Sequence, residues 1–171
     1  MKSVLISIKP KYVELIANGQ KNIEVRKTRP KIDTPFKCYI YCTKDKQRAF
    51  FTEQVFDGEK GKWAIPHLGN GKVIGEFVCD WITEINPHCD IDGCVNQYIH
   101  GYPAILGDDC LLFNEMKAYL GNKKGYDWHI SDLVIYEQPK EVSEFFTPMG
   151  KRPSYMLERP FQSWGYVEEK E

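Results

Sequence analysis

The chain has 171 residues, of which 42% are hydrophobic and 27% charged, and its net charge is −1. That is the length of roughly one domain, about 150 residues apiece, with enough chain to bury a core unaided, and its composition excludes a disordered, collagen-like or coiled-coil protein. No apolar run approaches the roughly 18 residues of a membrane-spanning helix, so no membrane association is expected.

The first predicted element is a short buried strand at Val4-Leu5-Ile6-Ser7-Ile8. This run is too short for a signal peptide, so a cytoplasmic protein is expected. Pro10 opens a helix at a first-turn position. Tyr12, Leu15 and Ile16, widened by Val13, form its apolar stripe, and Asn18-Gly19 closes it. Lys21 to Thr28 reads as a second strand, with Ile23 and Val25 on one face and Asn22, Glu24 and Arg26 on the other. Arg29-Pro30 ends it, since proline cannot donate to a ladder.

Phe36 to Thr43 is a third strand, and residues 57–71, rich in glycine, are mostly turn. Val73 to Ile85 carries the longest β-branched and aromatic run and is expected to be one long strand. Residues 86–108 form an irregular excursion. Leu112 to Leu120 is a helix closed by Gly121-Asn122, and Trp128 to Tyr136 is another strand. A short helical turn is expected over Glu141 to Phe146, a loop from Pro148 to Pro160, and a last strand at Trp164 to Val167. The whole, residues 1–171, reads as one α+β domain. Short strands and few helices favour a small mixed β-barrel over a parallel α/β sheet.

Charge is unevenly placed. Residues 1–48 are net +8 and residues 49–171 net −9. A basic N-terminal third suits a phosphate-bearing ligand, or the two segments lie together and neutralise each other. The six cysteines, Cys38, Cys42, Cys79, Cys89, Cys94 and Cys110, are expected as free thiols in a reducing compartment. His88-Cys89-Asp90-Ile91-Asp92-Gly93-Cys94 matches no common zinc spacing, so no metal is expected. The standard phosphate-loop, dinucleotide, zincin and hydrolase-elbow motifs are absent, and no cofactor is implied.

The densest polar group is Gly19-Gln20-Lys21-Asn22-Ile23-Glu24-Val25-Arg26-Lys27. Glu24 and Arg26 on one strand face set an acceptor beside a planar bidentate donor. Such a pair serves a cleft, or it is a solvated face with cross-strand ion pairs. In a regular strand Lys21 and Glu24 point to opposite faces, so they converge only if the chain bends between helix and strand. Trp128-His129, near Lys123 and Lys124, is a candidate platform for stacking a base, the alternative being core packing. His129 could serve as an acid or base near neutrality, or be structural.

SIKPKYVELIANGQKNIEVRK resembles the opening of an ASCH domain, in the PUA-like superfamily: a strand, a helix, then G-x-K-x-x-E-x-R, filled by Gly19, Lys21, Glu24 and Arg26. Gly71-Lys72-Val73-Ile74-Gly75-Glu76 resembles that family's second signature strand. Gly125 to Leu133 and Pro160-Phe161-Gln162-Ser163-Trp164 are similar to a subgroup common in bacterial and prophage genomes. The resemblance implies a PUA-like barrel with flanking helices and a cleft at one side. It also implies RNA or a modified nucleoside or nucleotide as partner, held by Lys9, Lys21, Arg26, Lys27, Trp128 and His129. The alternative it implies is a small hydrolase, a ribonuclease or an N4-acylcytidine amidohydrolase. There Lys21, Glu24 and Glu76 would be catalytic and Arg26 would stabilise charge. Those amidohydrolases use a lysine, a threonine and a glutamate. Lys21 aligns with the lysine and Glu76 with the glutamate, but Glu24 stands at the threonine position. A carboxylate cannot replace a hydroxyl there without a change of mechanism. Sequence leaves the ligand, the existence of a reaction and the oligomeric state open.

Overall fold

The computed structural model describes residues 3–50, 56–57, 62–63, 68–100, 111–149 and 153–169. In chain order the elements are β1 (Ser3–Ile8), α1 (Pro10–Ala17), β2 (Ile23–Arg26), β3 (Phe36–Cys42), β4 (Phe56–Asp57), β5 (Lys62–Trp63), β6 (Val73–Cys79), β7 (Ile82–Cys89) and β8 (Val95–His100). There follow α2 (Phe113–Leu120), β9 (Gly125–His129), β10 (Ser131–Lys140), a 3-10 turn (Val142–Glu144), β11 (Phe145–Phe146) and β12 (Trp164–Glu169).

Six strands form one curled sheet in the order β10-β6-β3-β1-β12-β11, and four form a second in the order β2-β9-β7-β8. Strands β4 and β5 pair with each other. Within the six-stranded sheet β1 runs parallel to β3, with Ile8 opposite Cys42, and antiparallel to β12. This mixed α+β architecture, half-barrel plus second sheet with two short helices, is the fold class the sequence leads one to expect.

Strand β1 is buried along its whole length because both of its faces are covered. Val4, Ile6 and Ile8 join a central core with Val13 and Ile16 of α1, Ile40, Phe77 and Trp128. Leu5, on the other face, joins Tyr39, Val73, Phe145 and Val167. A third cluster, Val25, Ile85, Met116 and Leu120, seats α2 on the smaller sheet. Pro10 stands at the start of α1 as expected, and Gly19 (φ 69°) follows the helix where a side chain would strain the backbone.

Three expectations about strands are corrected. The run from Val73 to Ile85 is two strands, broken at Asp80-Trp81, because β6 belongs to the large sheet and β7 to the small one. The run from Trp128 to Tyr136 breaks likewise at Ile130, between β9 and β10. The two breaks are tied together by the His129 N–H donating to the Trp81 carbonyl at 3.1 Å. The excursion is in part regular. Strands β7 and β8 form a hairpin turned by Asp90 to Gly93, with Gly93 at φ 77°. The rest of the excursion, 101–108, lies outside the described residues, as does Cys110. Among the described residues no helix is long and apolar enough to cross a membrane.

Candidate functional site

The strand expected from Lys21 begins only at Ile23, so Lys21 lies in the bend between α1 and β2. Freed from strand alternation, its ammonium turns back to the Ile23 carbonyl (2.5 Å) and to Glu24 Oε2 (3.4 Å). Glu24 Oε1 meets Arg26 Nη2 at 2.9 Å, since the two side chains stand two residues apart on one face. Arg26 Nη2 also donates to the Ser7 carbonyl (2.7 Å), and Nη1 reaches Ser163 Oγ (3.4 Å). The cluster thus joins β2 to β1 and to the segment entering β12. The side chains are 1% (Lys21), 9% (Glu24) and 8% (Arg26) exposed, so two cations and one carboxylate are held almost out of water. Burial on that scale is tolerated only with close partners.

Two tyrosines flank the cluster. The Lys21 ammonium lies 5.7 Å from the Tyr12 ring centre. Tyr119 of α2 is hydrogen-bonded to Arg26, and burial first, then the Glu24 charge, hold its hydroxyl above the ordinary value against the pull of Arg26. Tyr12 is raised by burial and by the charge of Glu115. Glu115 accepts from Lys11 (2.6 Å) and from the Tyr12 hydroxyl (3.4 Å), bridging α1 to α2. Sequence gives no signal for either tyrosine. Ser163 does carry one, since it stands in the Pro160 to Trp164 motif.

The structure places Trp128 and Lys27 beside this cluster but not Glu76 or His129. Glu76 sits directly across from Tyr39, on the sheet face opposite the central core. Its carboxylate accepts from Lys37 Nζ (2.7 Å) and the Tyr136 hydroxyl (2.5 Å). Strand parity therefore separates it from Lys21. Trp128 is wholly buried, edge-on to Phe36 (5.9 Å) and tilted against Trp164 (5.7 Å), so it offers no exposed face for a base. It does lie across from Glu24, on the cluster's own side of the small sheet. His129, one residue on, faces the other way, stacked on Trp81 at 4.6 Å with Nδ1 2.6 Å from Asp80. Lys9 is exposed at the start of α1, and Lys27 is exposed with its ammonium 4.9 Å from the Tyr119 ring centre.

Charge and donor count set what the cluster can do. Arg26 Nε and Trp128 Nε1 are buried donors with no hydrogen-bond partner in the protein. The first belongs to the Arg26 guanidinium and the second lies across the small sheet from Glu24, and Asn22 Oδ1 and Asp127 Oδ1 are buried acceptors likewise without a partner. Among the described residues no three His, Cys, Asp or Glu side chains converge to hold a metal.

No protein-family model and no curated protein matches the chain. Among the solved structures that match its backbone over nearly its whole length are two of an ASCH protein from Zymomonas mobilis, one of them a tyrosine-to-phenylalanine mutant. The mutant superposes with a TM-score of 0.52 at 15% identity, over 98% of this chain and 91% of that one. The other structure gives 0.52 at 15% identity, over 97% and 87%. This chain therefore has the ASCH fold.

Proposed function

We propose that the protein belongs to the ASCH family and binds single-stranded RNA or a modified nucleotide, with Lys21, Glu24 and Arg26 as the recognition cluster. The observation that carries this reading is that Arg26 Nε and Trp128 Nε1 are buried donors with no partner in the protein, one within and one across the sheet from a cluster of two cations and one carboxylate. Phosphate oxygens and the carbonyl and ring-nitrogen edges of a base are rich in acceptors, and they match those donors. Tyr12 and Tyr119, both partly exposed, supply the aromatic surface that Trp128 does not. Lys27 adds an exposed cation at the Tyr119 ring.

The test is fluorescence anisotropy of a labelled single-stranded RNA at two salt concentrations. Binding is expected to tighten as salt falls, because cations that contact phosphate release counterions. Tyr119→Ala, on a partly exposed residue, is expected to weaken it by about tenfold, the scale of losing one stacking contact. No binding by the wild type at low salt overturns the reading.

A second reading, a hydrolase acting on RNA or an acylated cytidine, is favoured by the 3.4 Å approach of Lys21 to Glu24. Lys21 would be the base or nucleophile and Glu24 its acid/base partner, with Glu76 outside the site. Turnover of RNA or N4-acetylcytidine, lost in a folded Lys21→Ala variant, would establish it. Unchanged RNA and nucleoside after prolonged incubation would remove it.

A further inference from the structure

We propose that the protein carries a second nucleotide subsite, a groove that meets the Arg26 cluster at Ser7 and takes the neighbouring nucleotide of the same RNA strand. This rests on the reading of the cluster as an RNA site. The groove has a volume of about 730 Å³ and is lined by Ser7, Tyr41, Lys44, Arg159, Phe161 and Gln162, with Thr43 and Pro160 completing it. That volume lies within the roughly 300–1,000 Å³ of small-molecule sites. Its lining has two cations and no carboxylate. Among the described residues neither Lys44 nor Arg159 is paired with an acid, so both are open to an anion.

The arrangement is built in advance. Strands β1 and β3 run parallel with Ile8 opposite Cys42, which places Thr43 and Lys44 beside the end of β1. The Lys44 stem lies on Gly71, where an added Cβ would stand 2.9 Å from Lys44 Cε, and Gly71 has φ 81°. The Phe161 ring lies on Gly165, where an added Cβ would come within 2.5 Å of it. Ser7 Oγ donates to the Phe161 carbonyl (2.6 Å), and the Ser7 N–H donates to the Ser163 carbonyl (2.8 Å). One cation and one aromatic ring are thus each seated on a glycine, and the wall that bears the ring is pinned to β1. A phosphate between Lys44 and Arg159 with its base against Phe161 uses both, and Gln162 is placed to meet a base edge. Because Ser7 also accepts from Arg26, the two sites share a backbone residue, and one strand serves both.

Cytidine monophosphate and a mixed-sequence RNA tetranucleotide, titrated into the full chain and followed by amide and indole NMR, test the proposal. The tetranucleotide is expected to bind at least tenfold more tightly. It alone is expected to shift the amides of Thr43, Lys44 and Gln162, while both ligands shift the Trp128 indole. Lys44→Ala and Arg159→Ala, on exposed side chains, should remove the gain with length and leave mononucleotide binding unchanged. A tetranucleotide bound with no groove shifts, or equally well by both variants, overturns the subsite while the RNA reading stands. A wild type that binds neither ligand at low salt overturns both.

Discussion

Lys21 and Glu24 meet at 3.4 Å although only Glu24 lies in a strand. Three residues apart in one strand they would face opposite ways, and the bend after Gly19 is what lets them converge. Arg26 then closes on Glu24 from the other side, so one carboxylate holds two buried cations.

That dependence makes Glu24 the stability keystone of the cluster. Glu24→Gln leaves Lys21 and Arg26 buried without a countercharge, and removing one partner of a buried charge network costs about 3 kcal/mol or more. Urea unfolding should show a lower midpoint with an unchanged slope. A midpoint within error of the wild type would mean that solvent, not Glu24, screens the two cations.

Much of the fold is legible in the sequence where burial is uniform. The buried β1, the proline-led α1 and the aromatic- and cysteine-rich β3 need only local pattern. The breaks at Asp80-Trp81 and at Ile130 are not legible, because β-propensity records that a residue suits a strand, not which sheet the strand joins. The same gap misplaced two site candidates. Glu76 looks equivalent to Glu24 until sheet order puts it across from Tyr39 on the far face. Trp128 and His129 are adjacent in sequence, yet alternation sends one into the core and the other to the surface stack with Trp81. The grouping of Lys21, Glu24 and Arg26 is legible because its spacing is local, but their burial and the bend that brings Lys21 to Glu24 are not. Tyr119 was not, since only tertiary packing brings α2 beside Arg26.

The cysteines divide by burial. Cys42 and Cys79 are pushed up to about 12 by burial, and Cys38, buried on both sides, is raised well above its ordinary value. Cys89 and Cys94 are exposed on the β7–β8 hairpin. Neither is disulfide-bonded. Iodoacetamide at neutral pH followed by peptide mass mapping should label Cys89 and Cys94, leave Cys38, Cys42 and Cys79 unmodified until denaturant is added, and find no Cys89–Cys94 disulfide. Labelling of Cys42 or Cys79 in the native protein would contradict their burial.

Gly75 and Gly19 separate two reasons for a glycine. A Cβ at Gly75 would lie 2.3 Å from the Val134 carbonyl oxygen, where β6 and β10 approach at a break in register. Backbone cannot step aside as a side chain can, so Gly75→Ala should cost more than about 2 kcal/mol. Gly19 has open space but φ 69°, so Gly19→Ala should cost only about 1 kcal/mol of backbone strain. Thermal melts of the two variants check the order, and a Gly19 variant less stable than the Gly75 variant would reverse the argument.

Glu76 supplies an acid-sensitive contact distant from the recognition cluster. Burial pushes its carboxyl up, but hydrogen bonds from Lys37 and Tyr136 and the charges of Lys37 and Lys140 outweigh this, leaving it below its ordinary value of 4.5. A carboxyl lowered in the folded state stabilises the protein fully above its unfolded value, and that stabilisation disappears as pH falls through the folded value. Glu76→Gln should therefore be less stable than wild type at pH 7, by about 1 kcal/mol for a partly exposed pair. The two should converge as pH drops below about 4.5, the carboxylate range. Urea titrations of both proteins from pH 7 to pH 3 measure this. A stability difference that stays constant across that range would show that Glu76 acts through packing and not through its charge. RNA binding by Glu76→Gln at pH 7 should match the wild type, because Lys37, Glu76 and Tyr136 belong neither to the Lys21–Glu24–Arg26 cluster nor to the lining of the groove.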